Sequence, residues 1–306
     1  MLKKRIVSLL PSATEIVCSL GFADCLIGRS HECDYPPEAR SLPICTKPRI
    51  NVNAGSREID REVKTLLREA LSIYELNTEA IRALKPDLIL TQAQCEVCAV
   101  SLAQVEAAVR DWAGCEAEIV SLSPNCLADI WQGILQVAQA LDVPDRGAKL
   151  VQALQERVAD ATRFSKPKRL TVACLEWLDP LMVAGNWVPE LVDLAGGQDM
   201  FGKAGRHSDW IESKDLIRVD PEILILMPCG FDLERTRREM SILREMPEWN
   251  QLRAVQSGQV FVTDGSQFFN RPGPRVVESL EILIEILHPT QRRFGHEGKA
   301  WLRALC

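Results

Sequence analysis

No apolar run in this 306-residue sequence approaches the ~20 residues that span a bilayer, which excludes insertion through a transmembrane helix. No Lys/Arg-rich stripe accompanies the formal net charge of −6, which argues against nucleic acid as a main partner. The signatures GxSxG, HExxH, Walker A and GxGxxG are all missing. The polar cluster His207-Ser208-Asp209 does not replace them, because the members of a working triad normally converge from separate loops. The chain therefore reads as non-enzymatic. A secretion signal is absent as well: Lys3, Lys4 and Arg5 precede a short apolar run, residues 6–10, that Pro11 ends. That run is shorter than the ~7–15 residues of a signal core, and no small-residue cleavage site comes after it.

A disulfide framework is the last absence. The 11 cysteines are odd in number and scattered over helices, strands and loops. Cys18, Cys25, Cys115, Cys126 and Cys174 stand in apolar contexts and read as small core residues. Reduced thiols and no leader together give a cytoplasmic expectation, with the periplasm as the alternative if a signal peptide precedes this sequence.

What is present is a repeat. Glu79-Ala-Ile-Arg-Ala-Leu-Lys-Pro86-Asp-Leu-Ile-Leu90 is answered further on by Lys214-Asp-Leu-Ile-Arg-Val-Asp-Pro221-Glu-Ile-Leu-Ile225. Each copy is a short amphipathic helix stopped before a proline, then a buried apolar strand. Strands are expected at 6–10, 26–28, 88–91, 118–122, 170–175, 181–184, 223–227 and 260–263. Helical patterns at 13–20, 57–71, 78–84 and 102–112 alternate with those of the first half, the signature of βαβ units and parallel sheets. In such sheets the functional loops lie at the carboxyl ends of the strands. The middle breaks the alternation: Leu127, Ile130, Trp131, Ile134, Leu135, Ala138 and Leu141 keep helical spacing, and a second helix comes next over 146–164 with no strand signal. Trp131, Trp249 and Trp112 read as structural, and Gly196-Gly197 as a helix C-cap.

The expected fold class is α/β: two Rossmann-like lobes with central parallel sheets, joined by a single long α-helix, with a ligand cleft between them. The expected division is an N-terminal lobe over 1–125, connecting helices over 126–166, a C-terminal lobe over 167–287 and a polar tail over 288–306, in which His288 and His296 read as solvated. The last helix is expected from Ile282.

Several motifs carry a resemblance: Ser8-Leu-Leu-Pro11-Ser12-Ala-Thr14-Glu15, Asp34-Tyr35-Pro36-Pro37, the 79–90 unit, and Asn186-Trp187-Val-Pro189-Glu190-Leu191 with Ala195-Gly196-Gly197. In their order and spacing, over about residues 5–287, the chain resembles the cobalamin-binding proteins. These belong to the helical-backbone (class III) solute-binding proteins of ABC transporters, which also include siderophore and haem binders. The resemblance implies a small-molecule ligand held between lobes without catalysis, cobalamin or another corrinoid or related tetrapyrrole. It also implies docking on an ABC permease through one glutamate per lobe. Glu79 matches the first glutamate, whereas Lys214 stands where the second belongs, which weakens permease docking because like charges repel.

Candidate ligand contacts fall on loops at the ends of strands. Trp177, Trp187, Trp210 and Phe269 would form an apolar wall for a macrocycle, with Asp179 and Arg271 fixing its polar rim. Ser12, His31, Cys33, Tyr35, Gln94, His207, Cys229 and Phe231 complete the set. The alternative reading is a metal or iron–sulfur protein, with zinc or iron held by Cys95, Cys98, Cys33 and His31 as a soft tetrahedral set. For the CxxC at 95–98, unligated thiols beside a ligand remain the plainer account.

Overall fold

The computed structural model describes residues 4–69, 72–92, 105–107, 117–164 and 168–304. The chain divides into two compact units. The first takes in Met1–Ala54, Arg61–Pro124 and Ala128–Ala153; the second takes in Gly55–Asp60, Asn125–Leu127 and Leu154–Cys306.

The first unit is built on a four-stranded parallel sheet. Its strands are β1 (Ile6–Ser8), β2 (Leu26–Arg29), β5 (Leu88–Gln92) and β6 (Glu118–Leu122), in the order β2-β1-β5-β6. Ile6 pairs with Leu88 and Leu88 with Glu118, and β1 and β5 are buried along their whole length, as an inner parallel strand with both faces covered requires. A separate antiparallel ribbon pairs β3 (Thr46–Pro48) with β4 (Tyr74–Leu76). Helix α1 (Pro11–Ser19) starts with proline at its first position, where the missing N–H costs nothing, and it ends before Gly21 at φ 85. Helices α2 (Ser56–Arg68) and α3 (Thr78–Leu84) are next in the chain.

Two long helices come later, α4 (Leu127–Ala140) and α5 (Pro144–Ala161). The second of these is the long helix expected at 146–164, and at 18 residues it measures about 27 Å. The division between units falls inside it, after Ala153.

In the second unit the sheet order is β12-β11-β10-β7-β8, with β9 beside β7. Strands β7 (Leu170–Leu178), β9 (Gly197–Asp199), β10 (Ile223–Leu226) and β11 (Val260–Thr263) are parallel, while β8 (Leu181–Val183) and β12 (Trp301–Arg303) run antiparallel to their neighbours. Helices α6 (Val188–Leu194), α7 (Ser213–Val219), α8 (Leu233–Arg244), α9 (Arg253–Gln256) and α10 (Val276–Leu287) complete it. Leu175, Leu224, Leu226, Val260 and Val262 of the sheet pack with Leu216, Met240, Leu243 and Trp249 in one buried cluster.

The repeat survives in atomic detail. Helix α3 ends on Lys85 (φ 45, ψ 63) and α7 on Asp220 (φ 45, ψ 66), each left-handed before its proline. Proline disfavours right-handed helix in the residue before it, so both copies turn there. The acid after the proline accepts a backbone N–H from the neighbouring strand region in each copy: Arg5 N to Asp87 at 2.7 Å, and Thr171 N to Glu222 at 2.9 Å.

The C-terminal segment corrects the expectation of a solvated tail. Helix α10 begins at Val276, six positions before Ile282, and the chain returns as β12 with Trp301 buried. Glu285 of α10 accepts the Trp301 indole N–H at 2.7 Å and the backbone N–H groups of Gly295 (2.6 Å), His296 (3.3 Å) and Phe294. Glu281 accepts from Nε and Nη2 of Arg157, at 2.8 and 2.7 Å, and from His296 Nε2 at 2.8 Å. Burial alone would raise these two carboxyls, but the bonds they accept win and hold both below the usual carboxylate range. His288 is likewise buried, with Nε2 2.9 Å from Ala195 O. Both histidines are structural, His296 through a buried acid and His288 through a backbone carbonyl, interactions with no sequence period.

Candidate functional site

At the carboxyl end of β2 in the first unit, Arg29 is buried and organises the adjoining loop. Its guanidinium donates to Ser30 O at 2.9 Å, His31 O at 3.3 Å and Arg40 O at 3.0 Å. His31 is held by Thr46, whose hydroxyl lies 3.0 Å from the backbone N and 2.8 Å from Nδ1. Its ring packs 5.0 Å from that of Tyr74, which donates to Glu32. Burial, reinforced by the Arg29 charge, pushes the imidazole down to about 4, so it is neutral at ordinary pH. Cys33 is fully buried, with its sulfur 3.1 Å from the Thr14 hydroxyl, and burial pushes the thiol up. Ser12 is buried in the first turn of α1, while Tyr35 is exposed beside a cis bond to Pro36.

Gln94, Cys95 and Cys98 lie outside the described residues. The other two members of the expected metal set do not help that reading. The Cys33 sulfur is bonded to the Thr14 hydroxyl and His31 Nδ1 to that of Thr46. Among the described residues no group of three or more His, Cys, Asp or Glu side chains is arranged to hold a metal ion. The seven described cysteines are free; of those assigned to the core, Cys25 and Cys174 are buried, Cys18 and Cys126 are half-buried, and Cys115 lies outside the described residues.

The second unit gathers more of the candidates. Strand β7 runs past the end of its pairing with β10 and carries Trp177, which tilts against Phe231 with ring centroids 5.1 Å apart. Phe231 sits on the loop after β10, and its other contact is cationic: the Arg235 guanidinium lies 3.6 Å from its ring centroid. Burial holds the Arg235 guanidinium below its ordinary value. Trp187, just before α6, donates its indole N–H to Phe269 O at 2.9 Å. Trp177, Trp187, Phe231 and Phe269 are all nearly buried, and of the expected aromatic wall Trp210 alone stands open, at 52% exposure.

The loops after β10 and β11 are bonded together. Asn270 donates its amide to Met227 O (3.1 Å) and Gly265 O (2.8 Å), and Ser266 N reaches Phe231 O. A side chain at Gly265 would come within 2.3 Å of Pro228 O, so only glycine allows this approach. Asp264 opens the second loop and is capped by Gln267; burial pushes its carboxyl up against that bonding. Arg271 is buried in the same loop, and Cys229 N donates to Glu176 O at 3.1 Å. Asp179 begins the β7–β8 turn through a cis bond to Pro180 and pairs with Arg57 at 2.7 Å.

The side chains of His207 and Ser208 bond to separate partners. Ser208 donates to Glu176 at 2.8 Å, while His207 Nδ1 lies against the Ser208 carbonyl oxygen and the residue is exposed. Ser208 therefore braces the loop, and a side chain at Gly185 would meet Arg206 O at 2.5 Å. Ser56, Arg57, Arg235 and Glu239 escaped the sequence reading. They stand in the first turn of α2 and along α8, and only Ser56 opening a helical pattern gave any signal.

Both α/β units have sheets with parallel inner strands and carry polar and aromatic residues on loops at the strand ends, and it is the family match that makes this a solute-binding protein rather than an enzyme. The chain belongs to the periplasmic binding protein family, whose profile matches residues 6–266. It is 25% identical to the vitamin B12-binding protein of Vibrio parahaemolyticus, over 95% of this chain and 91% of that one. It is 21% identical to an uncharacterised ABC transporter substrate-binding lipoprotein, YvrC, of Bacillus subtilis, over 94% and 80% of the two chains. The crystal structure of the periplasmic vitamin B12 binding protein BtuF of Vibrio cholerae superposes with a TM-score of 0.65 and 23% identity, over 93% of this chain and 96% of that one.

These relationships overturn the cytoplasmic expectation. The family is periplasmic and one relative is a lipoprotein, which points to an extracytoplasmic location. The observations behind the expectation carry no information about compartment. Residues 6–10 are short because they form β1 and its buried exit, and the described thiols are spent largely on packing.

Proposed function

We propose that this protein binds a corrinoid or a related tetrapyrrole and delivers it to an ABC permease. The observation that carries the reading is the Trp177–Phe231 pair at the carboxyl ends of β7 and β10, with Arg235 and Asp179 beside it. A macrocycle with an apolar face and an amide or carboxylate rim needs that combination of aromatic surface and fixed charge. The vitamin B12-binding relatives support the corrinoid within this class. The ligand contacts proposed are Trp177, Asp179, Trp187, Trp210, Phe231, Phe269, Arg271, His207 and Cys229 in the second unit, and Ser12, His31, Cys33, Tyr35 and Gln94 in the first.

Permease docking falls to Glu79, which is exposed on the first turn of α3. Its counterpart Lys214 is exposed too and is engaged by Glu212 at 2.6 Å, so the second copy presents a lysine already paired with an acid. Titration with aquocobalamin, cobinamide and haemin, monitored by tryptophan fluorescence, tests the ligand. Saturable quenching is expected with the corrinoids, weakened about tenfold or more in Trp177→Ala. A flat response to all three removes the reading.

A further inference from the structure

Four polar contacts from three residues converge on one short stretch of the second unit. Ser56 is fully buried at the start of α2, and its backbone N–H and hydroxyl both reach Glu239 of α8, at 3.2 and 2.9 Å. The Ser56 carbonyl accepts the indole N–H of Trp177 at 3.2 Å. Arg57 adds the ion pair to Asp179 at 2.7 Å. A carboxylate set at the N-terminus of a 13-residue helix gains from the unpaired N–H groups and the helix dipole, so Glu239 is well matched to its place. Of residues 55–60 only Ser56 and Ile59 are buried, and the Arg57 side chain is 83% exposed. Ile59 is the one buried apolar side chain of the stretch, and the rest of its hold is hydrogen bonds and charge.

Trp177 and Asp179, the residues so engaged, are two of the contacts that the proposed function assigns to the ligand. We infer that residues 55–60 form a strap over the β7 end of the binding face, which the ligand displaces when it takes Trp177 and Asp179. The strap rests on the corrinoid reading of that same face. Binding then reports a difference between the ligand's contacts and the strap's, and the strap sets how large or polar a ligand must be to compete. Trp177 exchanges its Ser56 acceptor for a ligand oxygen or for water, and Asp179 exchanges the Arg57 guanidinium for a ligand amide.

Two single variants, Glu239→Gln and Arg57→Ala, test this with aquocobalamin and cobinamide as probes and tryptophan fluorescence as the readout. Glu239→Gln replaces a charged acceptor of two bonds by a neutral one, and it is expected to tighten binding about tenfold. Arg57→Ala removes a largely exposed pair and is expected to tighten it about two- to threefold. Because Arg57 is exposed, that variant keeps the test intact should Glu239→Gln fail to fold. Hydrogen exchange gives an independent readout: the amides of residues 56–60 lose protection on saturation with corrinoid. Wild-type protein that fails to bind while a variant binds also supports the strap. Wild-type binding with unchanged or weaker affinity in both variants, or protection retained at saturation, overturns the strap and leaves the ligand reading standing. No binding by the wild type or either variant overturns the ligand reading, and the strap falls with it.

Discussion

Between α3 and β5, and again between α7 and β10, the chain makes the same turn through the same backbone angles and spends an acid on the same task. The positions that repeat are those the backbone dictates: the left-handed residue, the buried proline, and the carboxylate that satisfies a strand N–H. The positions that diverge face water, Glu79 in one copy and Lys214 in the other. Physical necessity preserves the first set, whereas the second is free to be shaped by whatever touches it. A second difference lies deeper. The second unit adds an antiparallel β12 fastened by Glu281 and Glu285, a strand that residue order alone leaves as a loose tail.

The largest effect expected from breaking this comparison lies in docking. Glu79→Lys is expected to weaken binding to a permease reconstituted in nanodiscs by tenfold or more, since juxtaposed like charges cost several kcal/mol. Lys214→Glu is expected to strengthen it, by less, because Glu212 already neutralises much of the lysine charge. Equal effects at the two positions would contradict the assigned asymmetry.

Next comes the fastening of β12. Glu285→Gln leaves the Trp301 indole and several backbone N–H groups with a weaker acceptor, and it is expected to destabilise the second unit by about 2–3 kcal/mol in urea unfolding monitored by tryptophan fluorescence. The folded carboxyl titrates below its unfolded value, so its contribution is full above the ordinary Glu range of about 4.3 and fades as pH falls through the lower folded value. The gap between wild type and variant is therefore expected to be widest near neutrality and to close in acid. A gap that widens as pH falls would be the wrong sign.

The repeated acids give a smaller and unequal pair. Asp87→Ala leaves the Arg5 N–H without its side-chain acceptor and is expected to cost about 1 kcal/mol, whereas Glu222→Ala also removes the Thr171 hydroxyl bond and the Lys168 ion pair and is expected to cost more. Smallest is the turn itself. Lys85→Gly relieves a left-handed non-glycine residue and is expected to stabilise by about 1 kcal/mol. Asp220→Gly gains nothing comparable, because the Asp220 carboxylate accepts Arg253 N at 2.7 Å and that bond is lost. Thermal denaturation of the pair separates the two outcomes.

Much of this architecture was legible in residue order alone. Strands β6 and β11 fall where their apolar runs predict, and α3 begins and ends at the predicted residues, because Asn77 caps its start and Pro86 bars its continuation. Strands β3, β4, β9 and β12 were not legible: three residues carry no period, and their pairing is decided by distant partners. Helix α8 escaped because its solvent face, with Glu234, Arg237, Arg238 and Arg244, dilutes a narrow buried stripe of Thr236, Met240 and Leu243, only two of which are apolar. Of the candidate contacts, Phe231 and Phe269 lie on loops after strands as expected, whereas Trp177 lies inside β7, which runs on to Leu178 past its expected end at 175. Their burial was invisible, since Trp177 is bonded to Ser56 and Trp187 to Phe269 through contacts far apart in sequence.

The most direct measurement is equilibrium dialysis of the purified protein against a mixture of cobalamin, cobinamide and haem, with the bound fraction read by its visible spectrum. The account predicts one equivalent of tetrapyrrole retained, corrinoid in preference to haem, and loss of retention in Trp177→Ala. Protein that returns from dialysis colourless, or that retains the same ligand without Trp177, would contradict it.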